Sequence, residues 1–270
     1  MKTTFLNNMY RCLVVLLLLC QSHQALTQMP KKAETLAING KNIYYEVHGE
    51  GSPLLLLHGY AQSSKDWQEY IADFAKDFEV YLIDLPGHGK SSAFTESMVI
   101  REVAEDLNAL LTALKLKKVK AIGFSFGGDV LFQLNLINPQ LVEKMVIIGS
   151  LGTWSIKEHP EVAESFTFDN QAYRDYVWPY HESEDQIKAL FREFLNYEVA
   201  LSDQDLQSIR AKVLLVCGDQ DSATPIDEIA GVRKFLPNSQ LWVLPNVPHS
   251  AHKGENKVDF VKKARTFLLE

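Results

Sequence analysis

The chain has 270 residues, 46% of them apolar, and a formal charge of −7. That suffices for one globular domain with room for an inserted subdomain. Acidic balance without a basic stripe argues against nucleic acid as a partner, and three cysteines without ligand spacing argue against a disulfide framework or metal site.

The first thirty residues, "MKTTFLNNMYRCLVVLLLLCQSHQALTQMP", differ from the rest. Lys2 and Arg11 precede an apolar run over 12–20, and no acid occurs before Glu34. A positive start, a short apolar core and a small or polar tail is the layout of an export signal. The run is too short to span a bilayer. We therefore expect residues 1–25 to be a signal peptide, with cleavage after Ser22 or Ala25, and a periplasmic or secreted product with no stable membrane span. Residues 17–20 faintly resemble a lipoprotein signal, with Leu19 a poor fit. Loss of Lys2 and Arg11 moves the charge from −7 to −9. Cys217 then remains alone on an expected strand, as a small core hydrophobe.

"ETLAING" and "NIYYEVHG" read as two strands joined by a hairpin at Asn39-Gly40. "PLLLLHG" is a continuous apolar run, as in a strand buried on both faces. Ser63 and Ser64 can cap a helix carrying Trp67, Tyr70, Ile71 and Phe74. "FEVYLIDL" is the next buried strand, and 99–114 has helical spacing. "KVKAIG" is a strand, 131–137 a helix, and "VEKMVIIGS" a strand. From 151 to 208 the chain turns aromatic and acidic, with helical patches and no convincing buried strand. The alternation returns with "AKVLLVCGD", a helix near 226–235, the strand "QLWVL" and a last helix over 256–268. The expectation is an α/β fold: a mostly parallel twisted sheet with helices on both faces, its core split into 34–150 and 209–270 by a helical cap over 151–208.

Ligands of such sheets bind at the carboxyl ends of the strands. Those ends read His58-Gly59-Tyr60, Asp84 to Ser91 ("DLPGHGKS"), Gly123-Phe124-Ser125-Phe126-Gly127, Gly218 to Asp221, and Pro245 to His249. A nucleophile, an acid and a base thus fall at one sheet edge.

In this context Gly123-x-Ser125-x-Gly127, with the other motifs in register, resembles the nucleophile elbow of the α/β-hydrolases, and the likeness runs from about Glu34 to the C-terminus. The resemblance implies Ser125 as nucleophile, His249 as base and Asp221 as the acid that orients it. It implies an oxyanion hole from the backbone amides of Tyr60 and Phe126. Gly-x-x-Asp spacing selects Asp221 over Asp219, and the position after the last strand selects His249 over His252. Pro248 departs from the family, which usually has glycine there. His58, His88 and Asp84 read as structural, Asp129 and Glu143 as surface or capping charges. Among the cap aromatics and their neighbours, Phe124, Trp154 and Trp178 are the candidates to line a substrate pocket. No cofactor is implied.

The implied activity is hydrolysis of a small-molecule carboxylic ester through an acyl-enzyme. Aminopeptidases, C–C bond hydrolases, lactonases and perhydrolases share the triad, and some receptors keep the fold with little turnover. Glu182, Glu184 and Asp185 in the cap could bind a substrate amine and so favour a peptidase. Oligomeric state is not legible.

Overall fold

The computed structural model describes residues 29–270. The segment read as an export signal, 1–25, lies outside them. Among the described residues there are ten strands: β1 Lys32–Ile38, β2 Lys41–His48, β3 Ser52–Leu57, β4 Phe78–Ile83, β5 Val119–Phe124, β6 Val142–Ile148, β7 Thr153–Ser155, β8 Glu198–Ala200, β9 Lys212–Gly218 and β10 Ser239–Leu244. Eight form one sheet in the order β1-β2-β4-β3-β5-β6-β9-β10. Only β2 runs against the others. Asn39 and Gly40 both take positive φ (49° and 80°) in the β1–β2 turn, the backbone a two-residue hairpin needs.

Strand β3 shows why its sequence is uniformly apolar. Leu55 and Leu57 enter the apolar layer on one face, Leu54 and Leu56 the layer on the other. Successive side chains alternate, so a strand covered on both faces has no polar position. The first layer is completed by helices α2 Ile100–Ala113 and α3 Phe126–Ile137. The second holds Trp67, Tyr70, Phe74 and Phe260, the last from α9 Lys257–Leu269. Each leucine so buried contributes about 2 kcal/mol.

The expected helix after Ser63 is instead a 3₁₀ segment, Ser64–Tyr70, followed by the single α-turn α1 Ile71–Phe74. Buried Ser64, Trp67 and Tyr70 recur every three residues, the repeat of a 3₁₀ helix. The 151–208 segment holds short helices α4 Pro160–Ser165, α5 Gln171–Val177, α6 Glu184–Phe194 and α7 Asp203–Ser208. It also holds one feature the sequence did not suggest. β7 and β8 pair antiparallel, Trp154 opposite Val199, and join the two ends of the insertion. Helix α8 Ile226–Arg233 lies between β9 and β10. No helix of the described residues is long and apolar enough to cross a membrane.

Candidate active site

The elbow is built from close approaches. A Cβ on Gly123 would stand 2.5 Å from the Gly127 carbonyl oxygen, and one on Gly127 would stand 2.6 Å from that of Leu57. Only hydrogen fits at either position, so β5 passes directly into α3. Ser125 is the residue at the corner, with φ 50° and ψ −116°. A non-glycine residue held at positive φ costs about 1–3 kcal/mol and persists only where the surroundings enforce it. Part of that restraint is visible: the Ser125 amide donates to the Ile148 carbonyl at 2.7 Å.

Asp221 follows β9 and is 4% exposed. Its Oδ1 accepts the backbone amides of Ala223 (2.9 Å) and Thr224 (3.1 Å), and its Oδ2 accepts the Thr224 hydroxyl and the His249 ring Nδ1 (2.8 Å). Burial works to raise this carboxyl, but His249 and the Thr224 donors outweigh it and hold it below the ordinary carboxylate value. Nδ1 of His249 is therefore the protonated nitrogen when the ring is neutral, which leaves Nε2 free to accept a proton.

Ser125 and His249 line one cavity of about 250 Å³, with Tyr60, Trp154, Phe194 and Tyr197 among its walls. No Ser125–His249 hydrogen bond is present among the described residues; in empty sites such contacts commonly tighten only around substrate. The amides of Tyr60 and Phe126, at the ends of β3 and β5, donate to no acceptor among the described residues.

Competing residues are placed elsewhere. Asp219 Oδ1 accepts the Asn246 amide at 2.6 Å and braces the turn after β10. His252 is fully buried, its ring stacked on Trp67 at 5.0 Å. His58 accepts the Leu85 amide, and Asp84 accepts those of Ser64 and Lys90. Glu143 is exposed and pairs with Lys118. Burial pushes the Cys217 thiol up to about 11, so it stays protonated at neutral pH.

Four readings need correction. Trp178 is 50% exposed in a 3₁₀ turn, Trp178–Tyr180, and does not line the cavity, because that turn docks on the chain after β3, where Lys65 donates to the Pro179 carbonyl and Tyr180 to Asp66. Phe124 is also absent from the cavity wall; it is buried, its ring 5.0 Å from that of His249 and 4.7 Å from that of His252. Glu182, Glu184 and Asp185 are exposed at the start of α6 and outside the cavity, so they cannot read a substrate amine there. Asp129 is not a surface charge. It is 4% exposed and lines the cavity beside Ser125. Its signal was in the sequence: four residues on from Ser125, it returns to the same face of α3.

A family model described as alpha/beta hydrolase fold matches residues 52–178. Among curated proteins, the chain is similar to a pimeloyl-[acyl-carrier protein] methyl ester esterase of Vibrio parahaemolyticus, 25% identical over 85% of this chain and 99% of that protein. It is also similar to a soluble epoxide hydrolase of Corynebacterium sp., 38% identical over 42% of this chain and 40% of that one. Among solved structures, a thermophilic esterase from Thermogutta terrifontis superposes with a TM-score of 0.75 at 19% identity, covering 88% of this chain and 98% of the other.

Proposed function

The chain is a member of the α/β-hydrolase fold superfamily, and from that premise we propose that it is a serine hydrolase of carboxylic esters acting through an acyl-enzyme. The observation that carries the proposal is the relay from buried Asp221 to His249 Nδ1 at 2.8 Å, with the ring opening onto the cavity that Ser125 enters from its strained corner.

Serine is a weak nucleophile without a base. His249 Nε2 takes the Ser125 proton as Oγ attacks the ester carbonyl, and Asp221 stabilises the imidazolium that forms. The oxyanion of the tetrahedral intermediate receives the amides of Tyr60 and Phe126, each worth about 3 kcal/mol of barrier. His249 then gives its proton to the departing alcohol. Water repeats the sequence on the acyl-enzyme and releases the acid and free Ser125. The similarity to an esterase over nearly its whole length supports an ester as the scissile bond. Export of the chain after loss of residues 1–25 belongs to the same proposal, and the mass of the secreted protein tests it.

The test of the activity is steady-state hydrolysis of p-nitrophenyl esters of rising acyl length. The chain lacking residues 1–25 is compared with its Ser125→Ala variant. Turnover should fall by at least about 10³-fold in the variant. Ester turnover that survives the substitution would remove Ser125 as nucleophile. No turnover on any ester, with both proteins folded, would move the reading to a narrower bond class or to a ligand receptor.

A further inference from the structure

The cavity wall beside Ser125 carries a buried polar cluster that the hydrolytic relay does not use. Asp129 Oδ1 accepts the Ser150 hydroxyl and the Gly152 amide (3.1 Å), and its Oδ2 accepts the Tyr197 hydroxyl (2.7 Å). All three side chains are nearly buried, at 4%, 2% and 4% exposure, and all three line the cavity. They come from separate parts of the chain: the first turn of α3, the loop after β6 and the segment between α6 and β8.

The direction of these bonds sets what the wall offers. A carboxylate has about four acceptor positions, and three are filled here by protein donors. Both hydroxyl hydrogens are spent on Asp129. What remains toward the cavity is lone pairs only: those of the Ser150 and Tyr197 oxygens and the last position on Asp129. Glu161 is a further acid in the wall, and no lysine or arginine lines it. A substrate N–H or O–H placed there finds an acceptor. At the cluster a substrate carboxylate finds like charge and no free hydrogen, the unpartnered buried donor of the same cavity, Trp154 Nε1, lying outside the cluster, and either partner left unpaired in a dry site costs its full desolvation.

We propose that the Asp129–Ser150–Tyr197 cluster is a specificity site for esters whose non-reacting part carries a hydrogen-bond donor and no negative charge. This deepens the ester-hydrolase reading and rests on it. Asp129 touches no reacting atom in this account; it selects the substrate.

The test compares four methyl esters of matched length: butyrate, 3-hydroxybutyrate, 3-aminobutyrate and the monoanion of monomethyl succinate. Hydrolysis is followed by pH-stat for the wild type, Asp129→Asn and Tyr197→Phe. In the wild type kcat/KM for the hydroxy or the amino ester should exceed that for butyrate by about 10- to 100-fold, with succinate the poorest. The hydroxy and amino arms show which donor is preferred. Asp129→Asn should collapse that ratio and lift succinate relative to butyrate, and Tyr197→Phe should reduce the ratio in part. A merely structural Asp129 would lower the melting temperature and leave the ratio unchanged, which overturns the inference. A second readout avoids turnover altogether. In a Ser125→Ala background the hydroxy or amino ester should raise the melting temperature more than butyrate does, and Asp129→Asn should erase the difference. Preserved stabilisation without turnover in the wild type overturns the hydrolase reading and upholds the cluster. Turnover with a flat substrate ratio overturns the cluster and leaves the hydrolase reading standing.

Discussion

A methyl group added at Gly218 would sit 1.8 Å from the Val247 carbonyl oxygen, inside the loop that leads to His249. A Cβ at Gly231, inside α8, meets nothing within 4 Å. The same Gly→Ala change should therefore have opposite signs. Gly218→Ala should destabilise by about 1–3 kcal/mol and lower kcat as the His249 loop shifts. Gly231→Ala should stabilise by about 0.5–1 kcal/mol, because it only removes freedom from the unfolded chain. Urea midpoints of the two variants check both, and a neutral Gly218→Ala would mean that the β9–β10 loops are less tightly coupled than drawn. The two histidines separate in the same way. His249→Gln should cut kcat by at least about 10³-fold. His252→Gln should act chiefly on stability, since His252 lies buried against Trp67 and Phe124. Equal kinetic losses in the two would undo the choice between them. At this scale the sequence was readable where a residue's placement follows from its position after a strand, as for Ser125 and His249 on one cavity and Asp221 bonded to His249. It was not readable where roles depend on convergence. Nothing in the linear pattern brings Ser150 and Tyr197 to Asp129. Aromatic character alone gave Trp178 a burial it does not have.

Elements decide how the 151–208 segment is held against the core. The segment from α5 to the start of α6 docks on the chain that follows β3. Gln62 donates to the Tyr176 hydroxyl (2.7 Å), Lys65 to the Pro179 carbonyl (2.8 Å), and Tyr180 to Asp66 (3.1 Å). His181 is 9% exposed and bridges two loops of the core. Its Nε2 donates to the Ala61 carbonyl (3.0 Å) and its Nδ1 accepts the Gly89 amide (3.1 Å). Ala61 directly follows Tyr60, so this latch bears on the loop of the proposed oxyanion hole. His181→Phe would leave a buried amide and carbonyl without partners and should destabilise by about 1–3 kcal/mol. It should also lower kcat more than it raises KM. Thermal melts and steady-state kinetics on the variant measure the two effects, and unchanged kcat would mean that the latch holds the cap without touching the oxyanion loop. The central strands were legible where they hold unbroken apolar runs, as over 54–57 in β3 and 213–217 in β9. The β7–β8 pair was not, because three-residue strands carry too few side chains to show a period.

Over the whole molecule, folding places several histidines where a charge is disfavoured. Burial lowers His58, His88 and His252, and takes His181 down to about 4. Each is neutral in the folded chain at a pH where the unfolded chain would already be protonated. For His181 the unfolded value is about 6.5, so its contribution is fully present above pH 6.5. It is withdrawn as the pH falls toward 4, at about 1.4 kcal/mol per pH unit. That amounts to about 3 kcal/mol across the window, a sizeable share of a typical domain's 5–15 kcal/mol. Asp221, Glu46, Asp66 and Glu193 are lowered carboxyls, and their contributions are lost at still lower pH. Asp129, raised by burial, works in the opposite sense, because the folded chain takes up its proton first. Among the described residues the lowered histidines thus outnumber the opposing carboxyl of Asp129, and unfolding free energy should fall through the range between pH 6.5 and 4. His181→Gln keeps one donor and one acceptor at the latch but does not titrate. Its unfolding free energy, measured by urea at pH 7, 5.5 and 4.5, should follow a shallower slope than the wild type. Parallel curves for the two proteins would show that His181 takes up its proton as readily folded as unfolded, and the acid sensitivity would then have to come from the other buried histidines.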